Sequence, residues 1–177
     1  MGLGAVAASA FRGATTVAID IDDAKLEIAR KAGAAHGIHS TRQDVREALT
    51  ELTGGDGPDV VIEAVGMPET FRAAVELVAF TGRVVYIGYA KEAVSYETKL
   101  FVQKELNILG SRNALPEDFR QVIHMLEQHR FPVEAAISTI APLARTPELL
   151  RAWSDDPAHF TKIMITLDQE MPDRPGR

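Results

Sequence analysis

The sequence contains no cysteine among its 177 residues. Without thiols the chain cannot form disulfides, use a thiolate nucleophile or hold zinc through sulfur ligands. Its five histidines are scattered, without the His-x-x-x-His or Glu-x-x-His spacing that would bring ligands together on one helix face. They are His36, His39, His124, His129 and His159. We therefore predict no metal site and interpret all five as solvated surface residues.

The sequence also lacks an excess of positive charge and any long apolar run. Nineteen Lys and Arg residues face 25 Asp and Glu residues, so the formal net charge is −6. An anionic polymer would be repelled, which argues against a nucleic-acid partner. No stretch approaches the roughly 20 apolar residues of a membrane span, and Met1–Ala10 has no basic flank of a secretory signal. We expect no membrane partner and a cytoplasmic location.

What the sequence does contain is a regular alternation of strands and helices up to Gly110. Short runs rich in β-branched residues predict strands at 16–21, 37–38, 59–65, 83–88 and 106–110. Helical patterns fill the intervals and also precede the first strand, at 2–12, where Gly13 follows as a stop. The capping-box spacing of Ser40–Gln43 predicts the start of the third helix. This alternation predicts an α/β fold, a Rossmann-type doubly wound parallel sheet.

The pattern changes after Gly110, which suggests a separate C-terminal α/β segment at 111–167. Pro116 opens an amphipathic helix, and strand-like runs at 136–141 and 162–167 flank a further helix near Pro147–Trp153. The last ten residues, 168–177, are polar with two prolines and are predicted to be a disordered tail. We therefore predict a dinucleotide-binding domain at 1–110, the C-terminal segment and the tail.

Several residues fall where such a sheet binds a dinucleotide, at the carboxyl ends of its strands. Gly2 and Gly4 lie at the start of the first helix, and Asp20 ends the first strand, 20 − 2 = 18 residues after Gly2. Gly66 and Gly88 each directly follow a hydrophobic strand. A glycine-lined helix start suits a pyrophosphate, and an acid after the strand suits a ribose. A free carboxylate would repel the extra phosphate of NADP, so we expect NAD.

Other interpretations of the same residues remain open. Asp20 could simply favour the positive end of the following helix, and Gly2 and Gly4 could serve close packing of helix on sheet. A methyltransferase also places an acid after its second strand, but the glycine-rich loop and final antiparallel hairpin that it needs are not evident.

The ordered series of motifs resembles the zinc-type, medium-chain alcohol dehydrogenases, in particular the polyol, threonine and sugar-acid dehydrogenase branch. The resemblance covers roughly residues 1–167. It is carried by Met1-Gly-Leu-Gly-Ala5, Val17–Gly33, Asp59-Val-Val-Ile-Glu-Ala-Val-Gly66, Gly82-Arg-Val-Val-Tyr-Ile-Gly88 and Leu109–Asn113.

The resemblance implies roles for individual residues. It implies that Gly2 lies against the pyrophosphate and that Asp20 and Lys25 bracket the adenosine ribose. Val65 and Gly66 are expected along the cofactor cleft. Three residues, Ile87, Gly88 and Tyr89, are expected to approach the nicotinamide ring. Lys162 looks like a basic residue that reaches the phosphates, with Arg112 a weaker candidate, although a solvated lysine at a strand end is an equally simple interpretation of Lys162.

The sequence departs from the family pattern at its start, part-way through the glycine motif. In the family a strand and two glycines come before this point, after a catalytic domain that holds zinc. The resemblance therefore implies a cofactor-binding half without a first strand, with no catalytic or metal-binding residue of its own. We expect it to be inactive alone in oxidising a secondary alcohol. The alternative is a non-catalytic dinucleotide-binding or regulatory protein.

The resemblance to the family also predicts incomplete packing of the chain. The strands at 17–21 and 59–65 would either pair directly or keep unpaired inner edges. The region after Gly110 joins the catalytic domain in the family, so the helix face of Phe119, Val122, Ile123 and Leu126 would be exposed. In the family the strand at 106–110 lies at an edge used for dimer contact. We therefore predict marginal stability or homo-association.

Overall fold

The structure is a computed structural model that describes residues 1–156, 159–167 and the backbone of 174–175. The chain divides into two compact units, Met1–Arg130 and Phe131–Arg177. The first unit thus extends past residue 110, where we placed the domain boundary, and includes the helix that Pro116 opens.

The first unit alternates helices and strands in the predicted order. Its helices are α1 (Gly2–Phe11), α2 (Asp23–Lys31), α3 (Val45–Leu52), α4 (Pro68–Leu77), α5 (Lys99–Gln103) and α6 (Pro116–Glu127). Its strands are β1 (Val17–Asp20), β2 (His36–His39), β3 (Val60–Glu63), β4 (Arg83–Tyr86) and β5 (Asn107–Gly110).

All strand pairs of this unit are parallel, which confirms the predicted α/β class. Strand β1 pairs with β2, with Val17 opposite His36 and Asp20 opposite His39. Strands β3, β4 and β5 form a second sheet in sequence order. Because parallel strands need a crossover connection, the intervening helices follow from the pairing.

Strands β1 and β3 are not hydrogen-bonded neighbours in the described residues. Of the two outcomes that we expected, direct pairing or unpaired inner edges, the structure therefore has unpaired inner edges. In a parallel ladder the N–H and C=O groups of one residue point toward the same neighbouring strand. The carbonyl groups of Thr16 and Asp20 accept hydrogen bonds from the β2 side, and that of Glu63 accepts from the β4 side. The alternate residues of each strand, such as Ile19 and Ile62, therefore direct their backbone groups toward the unpaired edge.

Acidic residues start the second and third helices. Asp22 caps α2 by accepting hydrogen bonds from the N–H groups of Ala24 and Lys25. The predicted capping box at Ser40–Gln43 is wrong, because Asp44 caps α3 and accepts from the N–H of Glu47 at 2.9 Å. The Gln43 side chain instead accepts from the N–H of His39 at 2.8 Å, which holds the turn after β2.

Two small apolar clusters form the core of the first unit. One consists of Ala18, Leu26, Ala29 and Ala34, and Leu3 and Val6 of α1 pack against it. The other consists of Ala74, Val75, Val78 and Val84, between α4 and β4. Because α1 contacts the first cluster and also lies against β3, this helix joins the two sheets.

The second unit is smaller and mixed in structure. It contains α7 (Val133–Ala136), β6 (Thr139–Pro142), a 3₁₀ turn (Leu143–Arg145), α8 (Thr146–Asp155), β7 (Ile163–Thr166) and β8 (Arg174–Pro175). The prediction of a strand from 136 is wrong at its start, because Ala136 ends α7 and the strand begins at Thr139. Strand β6 pairs with β7 in parallel and with β8 in antiparallel orientation. The rest of the tail that we predicted to be disordered lies outside the described residues.

Within the described part of the chain, none of the helices combines the length and the apolar character needed to cross a bilayer.

Candidate functional site

The carboxyl ends of β3 and β4 are joined by the backbone of Glu63. Its carbonyl oxygen accepts hydrogen bonds from the N–H groups of Ile87 and Gly88, each at 2.9 Å. Since β3 and β4 run in parallel, the turns that follow them leave the sheet at the same edge. The turn of Val65 and Gly66 therefore faces the turn of Gly88 and Tyr89.

The Glu63 side chain ties one of these turns to the next helix. Its Oε1 accepts hydrogen bonds from Val65 N (2.9 Å), Gly66 N (2.8 Å) and Thr70 Oγ1 (2.7 Å). The residue is only 4% exposed. Its Oε2 is buried and has no hydrogen-bond partner among the described residues. Sequence reasoning missed this residue, although an acid inside a hydrophobic strand was the available signal.

Glycine is required at both turns. Gly66 has φ +89°, and a Cβ there would lie 2.9 Å from the Tyr89 carbonyl oxygen. At Gly88 a Cβ would lie 2.6 Å from Gly66 N and would also collide with Glu63 Oε2. Any larger residue would force the turns apart, so the two glycines allow the turns to pack closely against each other.

The start of α1 adds backbone donors to the same edge. A Cβ at Gly2 would meet only the Ala64 side chain at 3.5 Å, an ordinary contact, and one at Gly4 would meet nothing within 4 Å. Packing alone therefore does not demand glycine at either position. The helix also begins without a side-chain cap, so the first amide groups of its N-terminus can bind an anion.

Asp20 ends β1 on the other side of α1 and is half-buried. Its Oδ1 accepts from Ile21 N at 2.8 Å and from Asp22 N at 3.2 Å, which turns the chain into α2. The cap of α2 is Asp22, so the helix start does not require an acid at position 20. Lys25 follows in the first turn of α2 and is half-buried.

Two tyrosines, Tyr86 and Tyr96, stabilise the segment that follows β4. The Tyr86 hydroxyl donates to the Phe71 carbonyl at 3.0 Å, and its ring stacks on Phe71 with centroids 4.3 Å apart. The Tyr96 hydroxyl donates to Tyr86 at 3.2 Å. Burial, and then the bond from Tyr96, raise the pKa of Tyr86 far above its ordinary value. Tyr86 therefore stays neutral and fixes the segment after β4 against α4, a contact that the sequence pattern did not indicate.

The predicted site residues fall into three places. Gly2, Val65, Gly66, Ile87, Gly88 and Tyr89 gather around the ends of β3 and β4. Asp20 and Lys25 lie together at the end of β1 and the start of α2. Lys162 belongs to the second unit, where its carbonyl oxygen accepts from Ser138 N at 2.8 Å just before β7. Tyr89 is 83% exposed and Val65 64% exposed, so both can meet a ligand. Arg112 is exposed just beyond β5.

In the parts of the chain that the structure describes, no group of three or more His, Asp or Glu side chains is placed to hold a metal ion. The interpretation of all five histidines as solvated is wrong for His39. That residue is buried, and its Nδ1 lies 3.1 Å from Thr41 Oγ1. Both of the last two positions of β2, Ile38 and His39, are buried, so the imidazole is covered.

Comparison with known proteins matches the arrangement to one family. The zinc-binding dehydrogenase family aligns with residues 1–128, which is most of the chain. The chain belongs to this family. A zinc-type alcohol dehydrogenase-like protein of Haemophilus influenzae is 29% identical over 163 residues, which cover 92% of this dehydrogenase-family chain and 47% of that relative.

Solved structures of the zinc-binding dehydrogenase family show the same fold. A zinc-binding-domain alcohol dehydrogenase of Burkholderia ambifaria aligns with TM-score 0.84 and 26% identity, over 95% of this chain and 46% of its own. A zinc-binding dehydrogenase of Sinorhizobium meliloti, solved with NADP bound, aligns with TM-score 0.81 and 26% identity, over 93% and 48%. The chain therefore spans less than half the length of these relatives.

Proposed function

We propose that this chain is the cofactor-binding portion of a zinc-type alcohol dehydrogenase and that it binds NAD. The observation that carries the proposal is the glycine-lined edge where the α1 N-terminus meets the ends of β3 and β4. A backbone surface of that kind, with free helix amides, suits a pyrophosphate. We expect a cytoplasmic protein, without nucleic-acid or membrane partners.

The residues present fit such a cofactor. The uncapped start of α1 supplies backbone donors at Gly2. Asp20 accepts its backbone hydrogen bonds through Oδ1, so within the described residues Oδ2 remains for a ribose. Gly66 and Gly88 let the two turns meet closely, and Val65, Ile87 and Tyr89 border the surface on which we propose that the flat ring lies. When bound, the nicotinamide ring would accept or give up a hydride. Lys162 and Arg112 stay candidates for phosphate contacts.

The preference for NAD over NADP is part of the proposal. Asp20, Asp22 and Asp23 are all acidic and lie at the carboxyl end of β1. A 2′-phosphate would bring negative charge to this group, while a ribose diol can donate to it. The relative from Sinorhizobium meliloti was solved with NADP bound, so the family fold does not by itself exclude NADP, and the preference that we propose rests on this chain's own acids.

We further propose that the chain binds the cofactor but does not oxidise a secondary alcohol by itself. In zinc-type dehydrogenases the metal polarises the alcohol oxygen, and the described residues offer no cluster that could hold it. The residues present do not fit zinc. Hydride transfer from a secondary alcohol therefore belongs to a full-length parent.

Calorimetric titration with NADH, together with an alcohol-oxidation assay with NAD and added zinc, tests these statements. We expect saturable binding of one NADH per chain and no turnover. Turnover would contradict the statement on activity. Absence of binding by a folded sample would contradict the whole proposal.

A second function has one observation in its favour. Phe119, Val122 and Ile123 expose a continuous apolar face of α6. A non-catalytic dinucleotide-binding or regulatory protein could use this face for a partner, which would be another copy of the chain or a different protein. Binding without turnover, together with a stable complex through this face, would favour that alternative.

A further inference from the structure

Glu63 is a buried acid whose Oε1 accepts hydrogen bonds, whereas its Oε2 has no hydrogen-bond partner among the described residues. Three donors, two backbone N–H groups and the Thr70 hydroxyl, converge on Oε1 within 2.9 Å. No acceptor or donor among the described residues bonds Oε2. The Thr70 hydroxyl has a single hydrogen, which the Met67 carbonyl oxygen at 2.9 Å can also accept, so the two backbone N–H groups are the certain donors to Oε1. Two N–H donors on one oxygen suit an ionised carboxylate, which only accepts, and we infer that Glu63 carries a negative charge.

No positive side chain offsets this charge. None of the ion pairs that the structure gives for the described residues includes Glu63. The Val65–Gly66 turn and Thr70 bond the carboxylate, and Gly88 lies against Oε2. A charge that is compensated only by dipoles, away from water, acts on its surroundings more strongly than a solvated one.

The charge lies between the two turns that form one wall of the candidate site. Glu63 bonds the first turn through Oε1 and the second through its backbone carbonyl, so the carboxylate cannot move away without breaking its bonds to the first turn. The faces of these turns, Val65 with Gly66 and Gly88 with Tyr89, are where we propose that the nicotinamide ring lies.

We propose that the Glu63 carboxylate makes the site prefer the oxidised nicotinamide ring, which is cationic, over the reduced ring, which is neutral. This inference rests on the proposed function, because it requires the ring to lie at this wall. Glu63 does not have to touch the ring. Its negative charge attracts the cationic ring from a distance, and its hydrogen bonds hold the Val65–Gly66 turn in place. Glu63 is therefore a positioning residue and not a catalytic one.

The test compares three ligands on the full chain: NAD⁺, NADH and ADP-ribose, which has no nicotinamide ring. Glu63→Gln keeps the size of the side chain and an oxygen for the three donors but removes the charge. We expect Glu63→Gln to weaken NAD⁺ binding roughly tenfold, from Coulomb attraction across a few ångströms of protein. The affinities for NADH and ADP-ribose should change less than about twofold, since neither carries the cationic ring.

Glu69→Gln is the matched control, because it removes an equal charge from an exposed residue of α4 that pairs only with Arg72. It should leave all three affinities unchanged. An equal loss of all three ligands in Glu63→Gln would mean a purely structural role and would overturn the inference, as would no change at all. Wild-type protein that binds none of the three would instead overturn the proposed function.

Glu63→Asp keeps the inference falsifiable if Glu63→Gln does not fold, as judged by circular dichroism. This variant retains the charge and shortens the side chain. The ratio of NAD⁺ to NADH affinity should stay within about twofold of the wild-type ratio. A shift of tenfold toward NADH despite the retained charge would contradict the inference.

Discussion

At the scale of single residues, we propose that Asp20 determines which dinucleotide the site accepts. Its Oδ1 holds the backbone turn into α2. Its Oδ2 accepts no hydrogen bond from the described residues, so it is available to a ribose hydroxyl. Because Asp22 caps the helix, Asp20 is not needed for that purpose.

Asp20→Asn should weaken NADH binding by roughly tenfold, since a hydrogen bond to a charged acceptor is replaced by one to a neutral acceptor. NADPH binding should stay the same or improve, because repulsion of the 2′-phosphate falls. Calorimetry with both cofactors measures the change. Asp56→Asn removes the same charge from an exposed loop position and should alter neither affinity. Equal weakening of NADH and NADPH would contradict the role of Asp20.

Residue-scale contacts between distant parts of the chain were the least predictable from sequence. The Lys104 ammonium donates to the carbonyls of Glu76 and Val78, both at 2.8 Å, and so closes the end of α4. The Glu63 contacts also depend on how two turns meet. Neither arrangement has a periodic signal, because each joins residues whose proximity is set by the completed sheet. The glycines and Asp20 were predictable, since their positions at strand ends follow from the strand pattern alone.

At the scale of elements, hydrophobic periodicity predicted each helix and strand of the first unit in the observed order. The ends of these elements were less predictable. The predicted start of α3 was wrong because Ser40 and Asp44 both offer capping side chains. Only the tertiary structure shows that the Gln43 side chain accepts a hydrogen bond from the N–H of His39. In the second unit, the short helix α7 replaced the start of a predicted strand, because a run of small apolar residues suits either element.

The unpaired edges of β1 and β3 should be visible in amide hydrogen exchange. The amides of Ile19 and Ile62 point toward the unpaired edge, whereas those of Ala18 and Val61 take part in the β1–β2 and β3–β4 ladders. We expect Ile19 and Ile62 to exchange on the order of a hundredfold faster than their neighbours. Nuclear magnetic resonance resolves each amide. Equal protection of the four amides would show that these edges are paired.

At the scale of the whole molecule, many large apolar side chains of the described residues are exposed. They include the outer face of α6, and the facing edges of β1 and β3 are unpaired in the described residues. Unpaired edges and large apolar patches both favour association. The fold class could be predicted from sequence, but this exposure depends on which faces the other elements cover.

Sedimentation velocity should therefore show self-association at micromolar concentration. Replacing Phe119 and Ile123 together by serine should move the protein toward the monomer, since both are more than half exposed and contribute little to the core. Phe80→Ser changes a similarly exposed ring elsewhere and should have no such effect. Cooperative unfolding of a dilute, strictly monomeric wild-type sample would contradict the expected marginal stability and association.

The most direct test of the account is a titration of isotope-labelled protein with NADH, followed by chemical-shift mapping of the backbone amides. We predict that the largest chemical-shift changes cluster at the amides of Gly2, Ile21, Gly66 and Gly88, around one edge of the sheet. Saturation should occur at one NADH per chain. Shifts confined to other surfaces, or no shifts in a folded sample, would show that this edge is not a dinucleotide site.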